Sequence, residues 1–374
     1  MQPSKSRPVP ARRSKYLGTW ARYVIGLALG AAALYAVGGQ RGELIGVTSE
    51  LSRLNIGWVL LAALAELASL VAFSRMSAHL LHAGSVHMRA GRLFGVTVAA
   101  AAIASSLPAG PAVSSVYAFR KYRRAGAGES IAVWALFATL LCSALGLTLL
   151  AGVGVVLAEH EGAALDLVWV TITVLVVTLL AMGVFAQRRL VAAGVLAMLK
   201  VVKRLTGYPR LEAQDIVDRV TANLGQVHLT WRDFGPAMVW SVMNWALDCG
   251  CLVLGYTAVG AGVPWRGLLL AYGAGQLASN LPITPGGLGV VEGSLTVALV
   301  AYGGAQVSTV AAVIVYRIIS FWGFLPFGWL SWAILAVRDR RADRLRQPAR
   351  QQTGELELEA VGSDGGATNQ AAPA

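Results

Sequence analysis

Charge is scarce in this sequence. Only 13% of the 374 residues are Asp, Glu, Lys or Arg and 56% are hydrophobic, too few polar side chains to cover a water-soluble surface. Cysteine is scarcer still: Cys142, Cys249 and Cys251 all lie in apolar runs and form no C-x-x-C, which points to packing rather than a disulfide framework or a thiolate metal site. Recurrent alternation of period two is missing, which excludes an outer-membrane barrel. Neither G-x-x-x-x-G-K-[ST], G-x-S-x-G nor H-E-x-x-H occurs, so ATP is not expected as a direct energy source and nothing argues for hydrolysis. His79, His82 and His87 lack accompanying Cys or carboxylate ligands, and His160 sits between Glu159 and Glu161 in an acidic loop. No metal site and no cofactor are expected from them.

Long apolar runs, by contrast, recur along the whole chain, and the mean hydropathy is +0.61. The fold class is therefore all-α: a polytopic integral membrane protein. The 31 Lys and Arg against 19 Asp and Glu give a net charge of +12. Because the basic residues cluster between apolar runs, the excess reads as positive-inside topology and contact with anionic headgroups, not as nucleic-acid binding.

Charge and hydropathy together thread the chain. Residues 1–16 form a basic cytoplasmic tail expected to be disordered, 17–337 a single transmembrane domain, and 338–374 a basic and then disordered cytoplasmic tail. The transmembrane domain divides into a first half (17–186), a cytoplasmic amphipathic connector (187–235) and a second half (236–337). Residues 40–55 resemble a short amphipathic helix on the outer surface. Threaded this way, 26 of the 31 Lys and Arg fall on the cytoplasmic side, with both termini there. A multi-pass protein of the cytoplasmic membrane follows. The last apolar stretch, Val307 to Val337, is long for one span, and Pro326 is expected to bend it.

Two apolar segments are broken. Ala278 to Glu292 reads ASNLPITPGGLGVVE, and Ala104 to Pro111 reads ASSLPAGP, which matches it at Ala, Ser, Leu and both prolines. Pro108, Pro111, Pro282 and Pro285 cannot sit inside an ordinary membrane helix without freeing backbone groups that hydrocarbon cannot solvate. Basic residues at both ends of the first segment place both ends in the cytoplasm, while the second begins and ends outside. About six full spans plus two opposed re-entrant hairpins in an inverted repeat are expected, and paired broken segments of this kind mark a midplane substrate site in transporters.

Four ionisable side chains fall where a bilayer should be: Glu66, Asp248, Glu292 and Arg317. Each is costly there and reads as a functional or paired group. Arg317 can clamp a phosphate bidentately or form an ion pair with Glu292 or Asp248, and sequence leaves both open. Asn280, Thr284, Gly286 and Gly287 offer an amide, a hydroxyl and unscreened backbone groups at the second breakpoint. A helix beginning near Leu288 would aim its free N–H groups at the same turn.

The string NLPITPGGLGVVEG, preceded by NWALDCG and AYGAGQ and followed by VYRIISFW, resembles the lysylphosphatidylglycerol synthase transmembrane-region family, whose members are described as flippase-like. LPAGPAVSSVYAFRKYRRAG looks like its first-half counterpart. Some members join this membrane region to a soluble aminoacyl-transferase domain. Here a short polar tail follows the last span, so synthase chemistry is not expected. The resemblance implies movement of an anionic or polyprenyl-linked lipid between leaflets, with Pro282, Thr284, Pro285, Gly286, Gly287, Glu292, Asp248 and Arg317 as the matching residues. Alternatives are a non-transporting partner of a lipid-modifying enzyme, docking a protein through residues 187–235, and a membrane-embedded lipid transferase. The first breakpoint lacks the Gly-Gly pair and the Glu, so an asymmetric site built mainly from the second half is expected.

Overall fold

A computed structural model describes residues 47, 49–107, 110–158, 231–279 and 285–366, with backbone alone at 231–233, 278, 285 and 346–366. The expected first span, the span at Leu165 to Phe185 and the connector 187–235, apart from its last residues, lie outside the described residues. Those described are helical, with no strand among them.

In chain order the helices are α1 (Ile56–Ala83), α2 (Ala90–Ser106), α3 (Gly110–Arg124), α4 (Glu129–Ala158), α5 (Trp231–Val259), α6 (Trp265–Ser279), α7 (Val290–Ala301), α8 (Gln306–Arg317) and α9 (Phe324–Gly366). A 3₁₀ turn at Pro285–Gly287 precedes α7, and a π turn at Ile318–Gly323 joins α8 to α9. Four helical stretches are long and apolar enough to cross a membrane: α1, α4, α5 from Phe234 onward, and Gln306–Leu345 through α8 and α9.

Local sequence explains several boundaries. Asn55 starts α1 by accepting the Gly57 amide on Oδ1 at 3.0 Å. Along α1, Ile56, Leu60, Leu64, Leu67 and Val71 are exposed at helical spacing while Ala62, Glu66, Ser69, Ala72 and Met76 are buried on the opposite face. The apolar stripe thus points outward, as hydrocarbon requires, and the polar residues point into the bundle. Pro326 lies in the first turn of α9, where its ring competes with the carbonyl of Trp322 and supplies no N–H. The irregularity nearest Pro326 is the π turn one turn earlier, which contains Trp322. Although composition led us to expect no regular structure after Pro348, α9 is helical to Gly366.

Both expected breakpoints interrupt helices. Residues 107–109 separate α2 from α3, residues 280–289 separate α6 from α7, and each pair packs against itself. The first turn is tight: a Cβ on Gly110 would overlap the carbonyl of Ala104. Pro111 stands in the first turn of α3, where a missing N–H is harmless. Pro108 and Pro282 fall outside the described residues, as do Asn280 and Thr284, and of Pro285 only the backbone is described.

Helices distant in sequence pack together: α1 lies along α5, α2 packs on α9, and α6 packs on α4. Two aromatic-rich cores result, one around Trp134, Tyr122 and Leu93, the other around Tyr256, Tyr272, Leu295 and Tyr316.

Candidate functional site

The second breakpoint contains three glycines in the left-handed region: Gly286 (φ 62°), Gly287 (φ 68°) and Gly289 (φ 80°). Side chains there would be strained by the backbone alone. Space is also refused at Gly286, where a Cβ would strike the Phe321 ring and come within 3.0 Å of the Ser105 carbonyl oxygen. That second contact is informative, because Ser105 belongs to ASSLPAGP. The two breakpoints, 181 residues apart in sequence, meet backbone to backbone.

Arg317 ends α8 beside this junction and is buried. Its Nε donates to Glu292 Oε1 at 2.6 Å and its Nη2 donates to the Gly286 carbonyl at 3.1 Å. The guanidinium carbon stands 4.6 Å from the Phe321 ring centre, so the same ring that blocks a side chain at Gly286 backs the cation. Glu292 uses its second oxygen to accept the Gly289 amide at 2.7 Å, satisfying one of the free N–H groups at the start of α7. One carboxylate therefore ties the helix start to the cation, and the cation ties both to the glycine turn.

Asp248, the third expected member, belongs to a neighbouring cluster. Its Oδ2 accepts from Tyr272 at 2.6 Å and Gln276 at 3.2 Å, and its Oδ1 from Tyr316 at 3.0 Å; Gln276 also donates to Tyr316 at 3.0 Å. Glu66 on α1 lies against the Asp248 carboxyl, and its Oε2 is buried without a hydrogen-bond partner. Two neighbouring carboxyls can hold together by sharing a proton. The clusters adjoin through consecutive residues, Tyr316 in one and Arg317 in the other.

Of the residues expected from sequence, the structure brings together Arg317, Glu292 and Gly286, with Gly287 next in the turn and Asp248 bonded to Tyr316, the neighbour of Arg317. Around Arg317 the first breakpoint contributes backbone at Ser105, Glu292 and Arg317 supply the charges, and Glu66 on α1 brings a carboxyl to the neighbouring cluster. Tyr272, Gln276, Tyr316 and Phe321 were not singled out by sequence. Tyr272 and Gln276 stand four apart on an apolar helix, a spacing that puts both on one face and could have flagged them. Among the described residues no three His, Cys, Asp or Glu gather as metal ligands; His82 and His87 approach through Nε2 at 3.2 Å as a pair.

Comparison with curated proteins finds none that matches. A family model described as the lysylphosphatidylglycerol synthase transmembrane region matches residues 23–328, a range that includes both breakpoints, Glu66, Asp248, Glu292 and Arg317. The chain belongs to the lysylphosphatidylglycerol synthase transmembrane-region family.

Proposed function

We propose that this membrane protein moves an anionic lipid, or a lipid-linked saccharide with a phosphate at its base, between the leaflets of the cytoplasmic membrane, with no synthase chemistry of its own. The observation that carries the reading is the junction of Ser105 with Gly286 beside the buried Arg317. Two broken helix pairs whose turns meet next to a cation are the arrangement expected of a midplane site for a charged headgroup.

The membrane threading proposed is six full spans and two re-entrant hairpins entering from opposite faces. Helix length supports it. At about 1.5 Å per residue, α6 reaches about 22 Å and α7 about 18 Å, short of the roughly 30 Å hydrocarbon core. α2 and α3 are similarly short. Helices that cannot cross singly, and that pair across a tight turn, fit hairpins with their tips inside the bilayer.

In the proposed mechanism a headgroup phosphate takes the place of Glu292 on Arg317, because a guanidinium offers a phosphate the same paired N–H geometry that it offers a carboxylate. Glu292 remains on the Gly289 amide. The exchange loosens the tie between α7 and α8, and with it the restraint on the glycine turn. The acyl or prenyl chain stays in lipid, against the outward apolar stripes, while the halves rock about the α1–α5 contact.

The test is translocation of a labelled phosphatidylglycerol in liposomes containing the purified chain. Arg317→Lys keeps the charge and loses the fork, and is expected to abolish most of the movement while the protein still melts cooperatively. Equal rates in wild type and R317K would remove the guanidinium from the mechanism.

A further inference from the structure

At the far end of α2 from the breakpoint, a cavity of about 690 Å³ opens between the starts of α2 and the polar part of α9. Its charged lining is one-sided. Arg89, Arg92, Arg124 and Arg338 face it, against the single carboxylate of Asp339. That carboxylate is already engaged: Lys121 Nζ lies at 2.6 Å, Arg124 Nη1 at 3.0 Å and Arg92 Nη2 at 3.2 Å. Asp339 thus gathers cations instead of neutralising them. Arg89 and Arg338 have no ion pair among the described residues.

Backbone adds to the same polarity. α2 begins here with no capping side chain on Arg89, and a Cβ on Gly91 would meet nothing within 4 Å. The amides of Ala90 and Gly91 precede the first intrahelical donors, Arg92 and Leu93, and carry the positive end of the helix dipole at the cavity. The wall is not wholly polar. Leu335, buried, lines the cavity one helical turn before Arg338, where the apolar part of α9 gives way to its basic part. That is the level at which acyl chain ends and headgroup begins.

We infer that this cavity is a binding site for a phosphoryl anion, held by Arg89, Arg338 and the α2 amides, with Arg92 and Arg124 positioned by Asp339. Scattered basic residues at a membrane border attract anionic lipid without any site. Here they converge on one open-mouthed cavity, around a counter-ion that fixes two of them, which is what a site requires. The phosphoryl group can come from a lipid headgroup or from a soluble phosphate, and the two are separable. The site stands apart from the Arg317 cluster and needs no lipid movement to be filled.

The test uses the full chain in nanodiscs carrying phosphatidylglycerol with a photoreactive acyl chain, and phosphatidylcholine bearing the same chain as the zwitterionic control. Crosslinks are mapped by mass spectrometry. Phosphatidylglycerol is expected to label the peptides around Met88 and Leu335 in preference to phosphatidylcholine. In the Arg89→Gln, Arg338→Gln double variant that labelling should fall about thirtyfold, the equivalent of about 1 kcal/mol for each of the two cations near a lipid surface, while labelling elsewhere persists. Loss of this labelling on adding millimolar inorganic phosphate, with binding of phosphate itself, would assign the site to a soluble phosphate; persistence assigns it to the lipid. Equal labelling of the two lipids, or of wild type and variant, without phosphate binding overturns the site. A melting temperature matched to wild type shows that the variant is folded. R317K translocation can fail or succeed independently of every one of these outcomes.

Discussion

Glu292 holds Arg317 with one oxygen, at 2.6 Å from Nε, and the Gly289 amide with the other, at 2.7 Å. A single carboxylate thus links the last residue of α8 to the start of α7, inside a protein with few charges to spare. Breaking a buried pair from one side strands the other charge, at about 3 to 5 kcal/mol. Glu292→Ala is therefore expected to lower stability by about that amount. Glu292→Gln, which fills the same space and keeps one acceptor oxygen for either Arg317 Nε or the Gly289 amide, should lose less. Denaturation of the detergent-solubilised variants checks this, and equal losses for the two would show that the helix start rather than the ion pair dominates.

Gly286 predicts a second effect, because its φ of 62° and the Phe321 ring both exclude a side chain. Gly286→Ala should destabilise by about 1 to 3 kcal/mol. Trimming the ring with Phe321→Leu should recover part of the loss but not all, since the backbone strain stays. Full recovery in the double variant would mean that space alone, not φ, reserves the position for glycine.

The Glu66 and Asp248 contact separates two roles by substitution. Glu66→Gln supplies a permanent N–H donor to Asp248, whereas Glu66→Ala leaves a gap and removes the partner. The first is expected to be within about 1 kcal/mol of wild type, and the second to lose about 2 to 3 kcal/mol. Thermal melts of both variants at neutral pH decide it. If Gln destabilises as much as Ala, the carboxyls are not joined by a hydrogen bond.

Asp339 sets a pH dependence outside the apolar spans. Burial alone would raise its carboxyl, but the hydrogen bond and charge of Lys121, with the charges of Arg124 and Arg92, outweigh burial and hold it below the usual carboxylate range. A group lowered on folding stabilises above its unfolded value, about 3.9, and that contribution is lost as pH falls through the folded value. Asp339→Asn should cost about 3 kcal/mol at neutral pH, since it strands the buried Lys121. The gap in melting temperature between wild type and D339N should then narrow on acidification below about pH 4. A gap that stays constant to pH 3 would exclude the charge as its cause.

Much of this was legible in the sequence, for identifiable reasons. Two prolines three residues apart in an apolar run disturb a helix where a single one, such as Pro236 inside α5, does not, so both breakpoints could be named from Pro108, Pro111, Pro282 and Pro285 alone. Glu292 and Arg317 stood out because charge in hydrocarbon needs a partner. Whether Arg317 paired with Glu292 or with Asp248 was not legible, because residues 248, 292 and 317 lie on three helices whose rotation only packing fixes. Tyr272, Gln276 and Tyr316 were hidden for a related reason: an aromatic or an amide on an apolar helix looks like filler until a carboxylate is found facing it. The π turn lies one turn before Pro326, whose ring crowds the carbonyl four residues before it and not its own position.

The crossed packing, in which α2 leans on α9 and α6 leans on α4, has a consequence for assembly. Neither broken pair can complete its packing from sequence neighbours alone, and α2 must wait for α9, the last described helix to be synthesised. The bundle therefore closes late, through contacts of high sequence separation.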